Sequence, residues 1–153
     1  KVAAAPDEAP TPFELLDILG HPTTDAGAPI VPDALREFLI MVRARYRAAL
    51  PPIFITENGG SFNDGPDEHG VIGDQRRIDY LESHLRAVSE AAQRGVDVRG
   101  YYAWSLLDSF EWAKGYTNRF GLVHVDFETL ERTPKQSFGW YADTIAAQTP
   151  SIG

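Results

Sequence analysis

The chain has 153 residues, 43% of them hydrophobic, and no cysteine, so it can bury the core of one globular domain but has neither a disulfide framework nor a thiolate metal site. Twenty-two acidic against 14 basic side chains give a formal net charge of -8, which argues against nucleic acid as the main partner. No apolar run approaches the roughly 18 residues of a membrane span, and Lys1–Pro12 lacks the apolar core of a signal peptide. A reducing cytoplasm fits, with secretion of a longer parent left open.

Lys1 in place of methionine suggests a processed or cleaved start, with chain missing before it. Residues 1–32 read as an irregular connecting segment: the first twelve are rich in Ala and Pro, and Pro22, Gly27, Pro29 and Pro32 break up the stretch from His21. A short helix over Phe13–Leu19 is expected between them. From Asp33 to Arg47 the positions Leu35, Phe38, Leu39, Val42 and Tyr46 recur at helical spacing, with Pro32 suited to the first turn. Pro51 and Pro52 stop that helix, and Ile53-Phe54-Ile55 is a continuous apolar run of the kind found in a strand buried on both faces.

A polar loop, Ser61–Gly73, leads to a second helix with Ile78, Leu81, Leu85, Val88 and Ala92 at intervals of three and four; Asp74 suits its N-cap and Gly95 its stop. Val98–Leu106 reads as a second apolar strand, running into the aromatic stretch Trp104–Trp112. A β-prone segment, Gly121–Phe127, precedes a last helix that Thr133 caps, Pro134 opens, and Phe138, Tyr141, Ala142 and Ile145 pack. Helices alternating with single buried strands predict a parallel α/β fold. Two clear strands do not decide between an open sheet and a closed barrel, and a closed barrel needs eight, in about 250 residues.

In parallel α/β folds chemistry gathers at the C-terminal ends of strands. Glu57 stands there, with Gly59 and Gly60 letting the chain turn away without covering the carboxylate. A lone Glu in such a place is more often a solvated loop residue or a helix cap. The second strand shifts that balance, because its end delivers Trp104, Phe110, Glu111 and Trp112 within nine residues. Aromatic faces beside carboxylates suit a sugar, whose C–H faces stack on indole and whose hydroxyls donate to carboxylate oxygens. The alternative, core filling, fits poorly with an interposed Glu that would need a buried partner.

Glycoside hydrolysis requires two carboxyls across the scissile bond. No second acid here is an obvious partner for Glu57: Glu111 sits in an aromatic stretch built for grip, Asp108 suits holding the turn, and Asp126, Glu128 and Glu131 lie in a loop-like stretch.

Ile53–Gly59 resembles the nucleophile motif of the family 1 glycoside hydrolases, and Trp104–Trp112 resembles that family's sugar-binding motif. Val31–Tyr46, Arg77-Ile-Asp-Tyr-Leu, His84-Leu85, Gly115-Tyr116 and Arg119–Asp126 are similar as well, so the likeness runs from about Gly27 to Ile145. The resemblance implies the C-terminal part of a (β/α)8 TIM barrel, its last two strands with their helices, over residues 33–153. It implies that Glu57 attacks the anomeric carbon, that Trp104 forms the platform under the sugar, and that Glu111 binds the hydroxyls at carbons 4 and 6. By the same likeness Trp112 assists at carbon 3, Phe120 lines the pocket wall, and Asn58 lies beside the nucleophile.

The family's proton donor lies in an Asn-Glu-Pro motif that is absent here, so the chain holds one half of the catalytic pair and the N-terminal remainder of the barrel is the implied partner. Two departures are visible: Ser109 stands where the family usually has Asn, and Gly27-Ala28-Pro29 replaces a more usual Gly-Trp pair. Glu111 points to an unphosphorylated sugar, because a carboxylate would repel a 6-phosphate. The expected activity is hydrolysis of terminal β-D-glucosyl residues with retention and without cofactor or metal; His21, His69, His84 and His124 show no ligand spacing. The competing expectations are a non-catalytic sugar-binding or inactive fragment and a thioglucosidase-like enzyme without the acid.

Overall fold

The computed structural model describes residues 20–148 and the backbone of two short strands ahead of them, β1 (Val2–Ala4) and β2 (Phe13–Leu15). These two pair antiparallel, Val2 opposite Leu15. Strand pairing of Phe13–Leu15 therefore replaces the start of the helix expected over Phe13–Leu19, the rest of which lies outside the described residues.

Helix α1 (Pro32–Tyr46) starts with Pro32 in its first turn, where the missing N–H costs no hydrogen bond. Strand β3 (Ile53–Asn58), helix α2 (Gln75–Gln93) and strand β4 (Val98–Ala103) form a β-α-β unit, in which β3 and β4 pair in parallel from Ile53 opposite Val98 to Asn58 opposite Ala103. Helix α2 ends as its sequence suggests. Gly95 takes φ 88°, its N–H donates to Ala92 O at 2.9 Å, and the Val96 N–H reaches back to Ala91 O at 3.2 Å. This is a Schellman closure, with the buried pair Ala91 and Val96 as its apolar contact.

Beyond β4 a long loop leads to an antiparallel hairpin of β5 (Val123–Val125) and β6 (Arg132–Pro134), and then to helix α3 (Gln136–Gln148). Thr133 and Pro134 do not cap and open that helix. They lie in β6, with Thr133 paired to His124, and the helix begins at Gln136. Cross-strand pairing outweighs the local capping signal here.

The core has two centres on the helix side of the sheet. Leu39, Val88, Ala91 and Val96 close one, against Ile53, Ile55 and Val98. Phe62, Tyr80, Leu81 and Leu122 close the other, against Tyr101, Ala103, Trp140 and Tyr141. Each fully buried Leu, Val or Phe contributes about 1.5–3 kcal/mol relative to exposure. On α2 the buried stripe includes Ile78, Leu81 and Val88 as expected, whereas Leu85 is only half-buried and Ala92 is exposed.

The opposite face of the sheet is open. Phe54 and Tyr102 flank Gly100 there and remain 52% and 57% exposed, so the Ile53-Phe54-Ile55 run, expected to be buried on both faces, is covered on one. Among the described residues the helices pack on the covered side, against Ile53, Ile55, Val98, Tyr101 and Ala103.

Candidate active site

The parallel register brings the C-terminal ends of β3 and β4 side by side, and the pairing continues one step beyond the strands: the Trp104 N–H donates to Asn58 O at 2.9 Å. Glu57 and Trp104 thus emerge from adjacent strand ends. Glu57 is exposed, and no side-chain hydrogen bond or ion pair reaches it among the described residues. Asn58 points toward the neighbouring strand, its Oδ1 accepting from the Tyr101 hydroxyl at 2.7 Å. Burial, with Tyr80 and Tyr141 close by, pushes the Tyr101 phenol well above its ordinary range, so the phenol stays protonated and remains a donor to Asn58.

Gly59 is required by close approach. A Cβ built on it would collide with the Trp104 carbonyl oxygen. The Trp104–Ser105 peptide bond is cis. From there residues 105–108 run alongside 120–123, with Ser105 N donating to Phe120 O at 3.1 Å, Leu122 N to Ser105 O at 2.8 Å and Asp108 N to Val123 O at 3.0 Å. Gly121 faces the same constraint, a Cβ there colliding with the backbone of Leu107 and Asp108.

Glu111 and Trp112 sit on a tight turn closed by Glu111 N to Gly115 O at 2.8 Å and Gly115 N to Glu111 O at 2.6 Å, with Gly115 at φ 61°. Glu111 is half-buried. Trp112 is 92% exposed at the tip, and Trp104 is 40% exposed. Phe110 and Tyr116 stack edge to face at 5.3 Å below the turn, and Tyr116 leans on Phe127. Phe120 is half-buried between Arg119 and Gly121. All five sequence-selected side chains, Glu57, Trp104, Glu111, Trp112 and Phe120, therefore belong to the two strand ends or to the single loop that follows β4.

Asp108 holds that loop. Its Oδ1 accepts from Gly121 N at 2.8 Å and Lys135 Nζ at 3.0 Å, and its Oδ2 accepts from Arg119 Nη1 at 2.8 Å. Burial opposes its ionisation, but the charge of Lys135 and the bonds from Arg119, Lys135 and Gly121 outweigh it and hold the carboxyl below its ordinary value. A depressed carboxyl contributes stability that is present above the unfolded value near 3.8 and lost as pH falls through the lower folded value. Asp108→Asn strands two buried or half-buried cations, an effect of about 3–5 kcal/mol. The expected result is a large drop in melting temperature at pH 7, with the gap to the parent protein narrowing below about pH 3.8; a gap independent of pH would show that the ion pairs do not stabilise the loop.

Two further residues matter to the site, Lys135 and Arg77, whose roles the sequence does not single out. Lys135 leaves no signal beyond a single charge after Pro134. Arg77 leaves one: it falls on the same helical stripe as Leu81, His84, Val88 and Ala91, a charge on a buried face. Its guanidinium is buried and bridges the loops that follow β3 and β4.

Residues 14–150 match the family described as Glycosyl hydrolase family 1. The chain is 45% identical over 124 residues to "Beta-glucosidase A" of Thermotoga maritima, covering 81% of this chain and 27% of that protein. It is 49% identical over 129 residues to a "Bifunctional beta-D-glucosidase/beta-D-fucosidase" of Bifidobacterium breve, covering 82% and 28%. Among solved structures, the family 1 β-glucosidase from Thermotoga maritima superposes with a TM-score of 0.87 at 41% identity, over 98% of this chain and 33% of that one. The same enzyme in complex with glucoimidazole gives 0.85 at 41% identity, over 95% and 32%. The chain thus spans about a third or less of the length of the proteins it matches.

Proposed function

The chain belongs to glycosyl hydrolase family 1, and from that premise we propose that it is the C-terminal portion of a retaining β-glucosidase in which Glu57 is the nucleophile. Its fold is part of a TIM barrel, the last two strands with their helices, and the sheet face bearing Phe54 and Tyr102 is the one turned toward the barrel interior. The observation that carries the reading is the juxtaposition of Glu57 with Trp104 at paired, parallel strand ends. Strand C-termini are where barrels of this kind build their sites.

In the proposed reaction the Glu57 carboxylate attacks the anomeric carbon as the aglycone departs with a proton from an acid on the N-terminal remainder; water then hydrolyses the glycosyl-enzyme. Trp104 is the platform under the sugar ring, Glu111 accepts from the hydroxyls at carbons 4 and 6, Trp112 assists at carbon 3 and Phe120 lines the wall. The exposure of Trp112 and Trp104 fits side chains that wait for a sugar and for the missing barrel strands to cover them. The substrate is an unphosphorylated β-glucoside and the N-terminal remainder of the barrel is the obligate partner.

Proton NMR of aryl β-glucoside hydrolysis by the complete polypeptide tests the mechanism. β-Glucose is expected as the first product, before mutarotation. First release of α-glucose would mean inversion, with Glu57 acting as a base on water instead of as a nucleophile.

A further inference from the structure

We propose that Arg77 is a positioning residue for this site, clamping the loop that carries Glu57 to the loop that carries the sugar-binding side chains; the proposal rests on the reading of those residues given above. Arg77 is 2% exposed, and its guanidinium uses all five of its N–H groups. Nε donates to Asp74 Oδ2 at 2.9 Å. Nη1 donates to Gly60 O at 2.8 Å and Phe120 O at 2.9 Å, and Nη2 to Phe62 O at 2.9 Å and Arg119 O at 3.0 Å. Each terminal nitrogen therefore holds one carbonyl from the β3 loop and one from the β4 loop.

The clamp is short on both sides. Gly60 is three residues beyond Glu57, and the Phe120 carbonyl that takes Nη1 also accepts the Ser105 N–H next to Trp104. The other end is anchored in the scaffold: Asp74 accepts from Ser137 N at 2.8 Å and Ser137 Oγ at 2.6 Å, tying the start of α2 to α3. A rigid planar fork is the side chain that can hold four divergent carbonyls at once; a lysine ammonium has three donors on a flexible stem. In a double displacement the nucleophile must stand at attack distance while the sugar is held by the other loop, and a misplacement of about 1 Å costs on the order of 100-fold in rate.

The test is Arg77→Lys in the complete glycosidase, with active sites counted from the burst of leaving group released by a 2-deoxy-2-fluoro-β-glucosyl inactivator. The expected result is a kcat per titrated site lowered about 10- to 100-fold, slower labelling of Glu57, and a smaller change in KM. A purely structural role would lower the melting temperature and the number of titrated sites but leave kcat per site within about twofold of the parent, and that outcome overturns the proposal. If Arg77→Lys does not accumulate as folded protein, Ser137→Ala takes its place. It frees Asp74 from one hydroxyl without touching either loop, and kcat per site is expected to fall at least about threefold; an unchanged value overturns the proposal. Label found at Glu57 in the parent with a normal per-site rate in the variant removes the positioning role alone, whereas label elsewhere in the parent removes both readings.

Discussion

Replacing Glu57 by Gln in the complete polypeptide is expected to lower turnover of an aryl β-glucoside by on the order of 10⁴-fold or more, with sugar binding largely intact. The amide has the shape of the carboxylate but neither its charge nor its nucleophilicity, so the proposed covalent intermediate would not form. The fold should not notice. Glu57 is exposed at the end of β3 and takes no ion pair or side-chain hydrogen bond among the described residues, and such substitutions stay within about 0.5 kcal/mol. Steady-state kinetics with an activated substrate, beside calorimetric binding of a glucose-like inhibitor, separates the two quantities. Turnover within tenfold of the parent would remove Glu57 from the chemistry, and loss of binding together with turnover would make it a structural residue.

The second large effect concerns the chain by itself. Residues 1–153 expressed alone are expected to aggregate or to remain loosely packed. The sheet of β3 and β4 has two strands among the described residues, and so few strands make a marginal sheet in water. Its uncovered face exposes Phe54 and Tyr102, the loop beyond β4 exposes Leu106, and α1 exposes Phe38 and Met41. Apolar surface of that extent seeks a partner, and unpaired strand edges template association with other chains. Sedimentation velocity with amide hydrogen exchange provides the measurement. A compact, well-protected 16.9 kDa monomer would sink the expectation; recovery of a defined complex on adding the proposed N-terminal remainder would support it.

Much of this architecture is legible in the amino-acid order, because α1, β3, α2 and β4 are each written in local physics. Pro32 suits the first turn of α1, Pro51 and Pro52 stand between it and β3, and Gly95 supplies the left-handed turn that closes α2. The misreadings have physical causes. Thr133-Pro134 carries a capping signal that pairing with His124 overrides, and Phe13–Leu15 pairs with Val2–Ala4 instead of starting a helix. Ile53-Phe54-Ile55 is patterned for burial on two sides, which describes a barrel more complete than this chain supplies. In the site, Glu57 and the tryptophans stand out because strand ends and aromatic clusters are visible locally. The individual roles expected of Glu57, Trp104, Glu111, Trp112 and Phe120 come only through family likeness. The Arg77 clamp stays hidden because its four carbonyl partners belong to the backbone, which every residue type shares.

The contact between the Gly59 position and the Trp104 carbonyl has a consequence for anyone redesigning substrate choice. No side chain fits in that gap, so the two loops have no compressible layer between them to absorb a shift. A bulkier aglycone or a repacked indole that pushes on Trp104 transmits the displacement straight to the backbone beside Glu57. With Trp104 as the proposed sugar platform and Glu57 as the proposed nucleophile, selectivity and turnover are expected to be geared together, and libraries that vary Trp104 while holding residues 57–60 constant are expected to trade one for the other. Variation that lets both loops travel as a single rigid unit escapes that gearing.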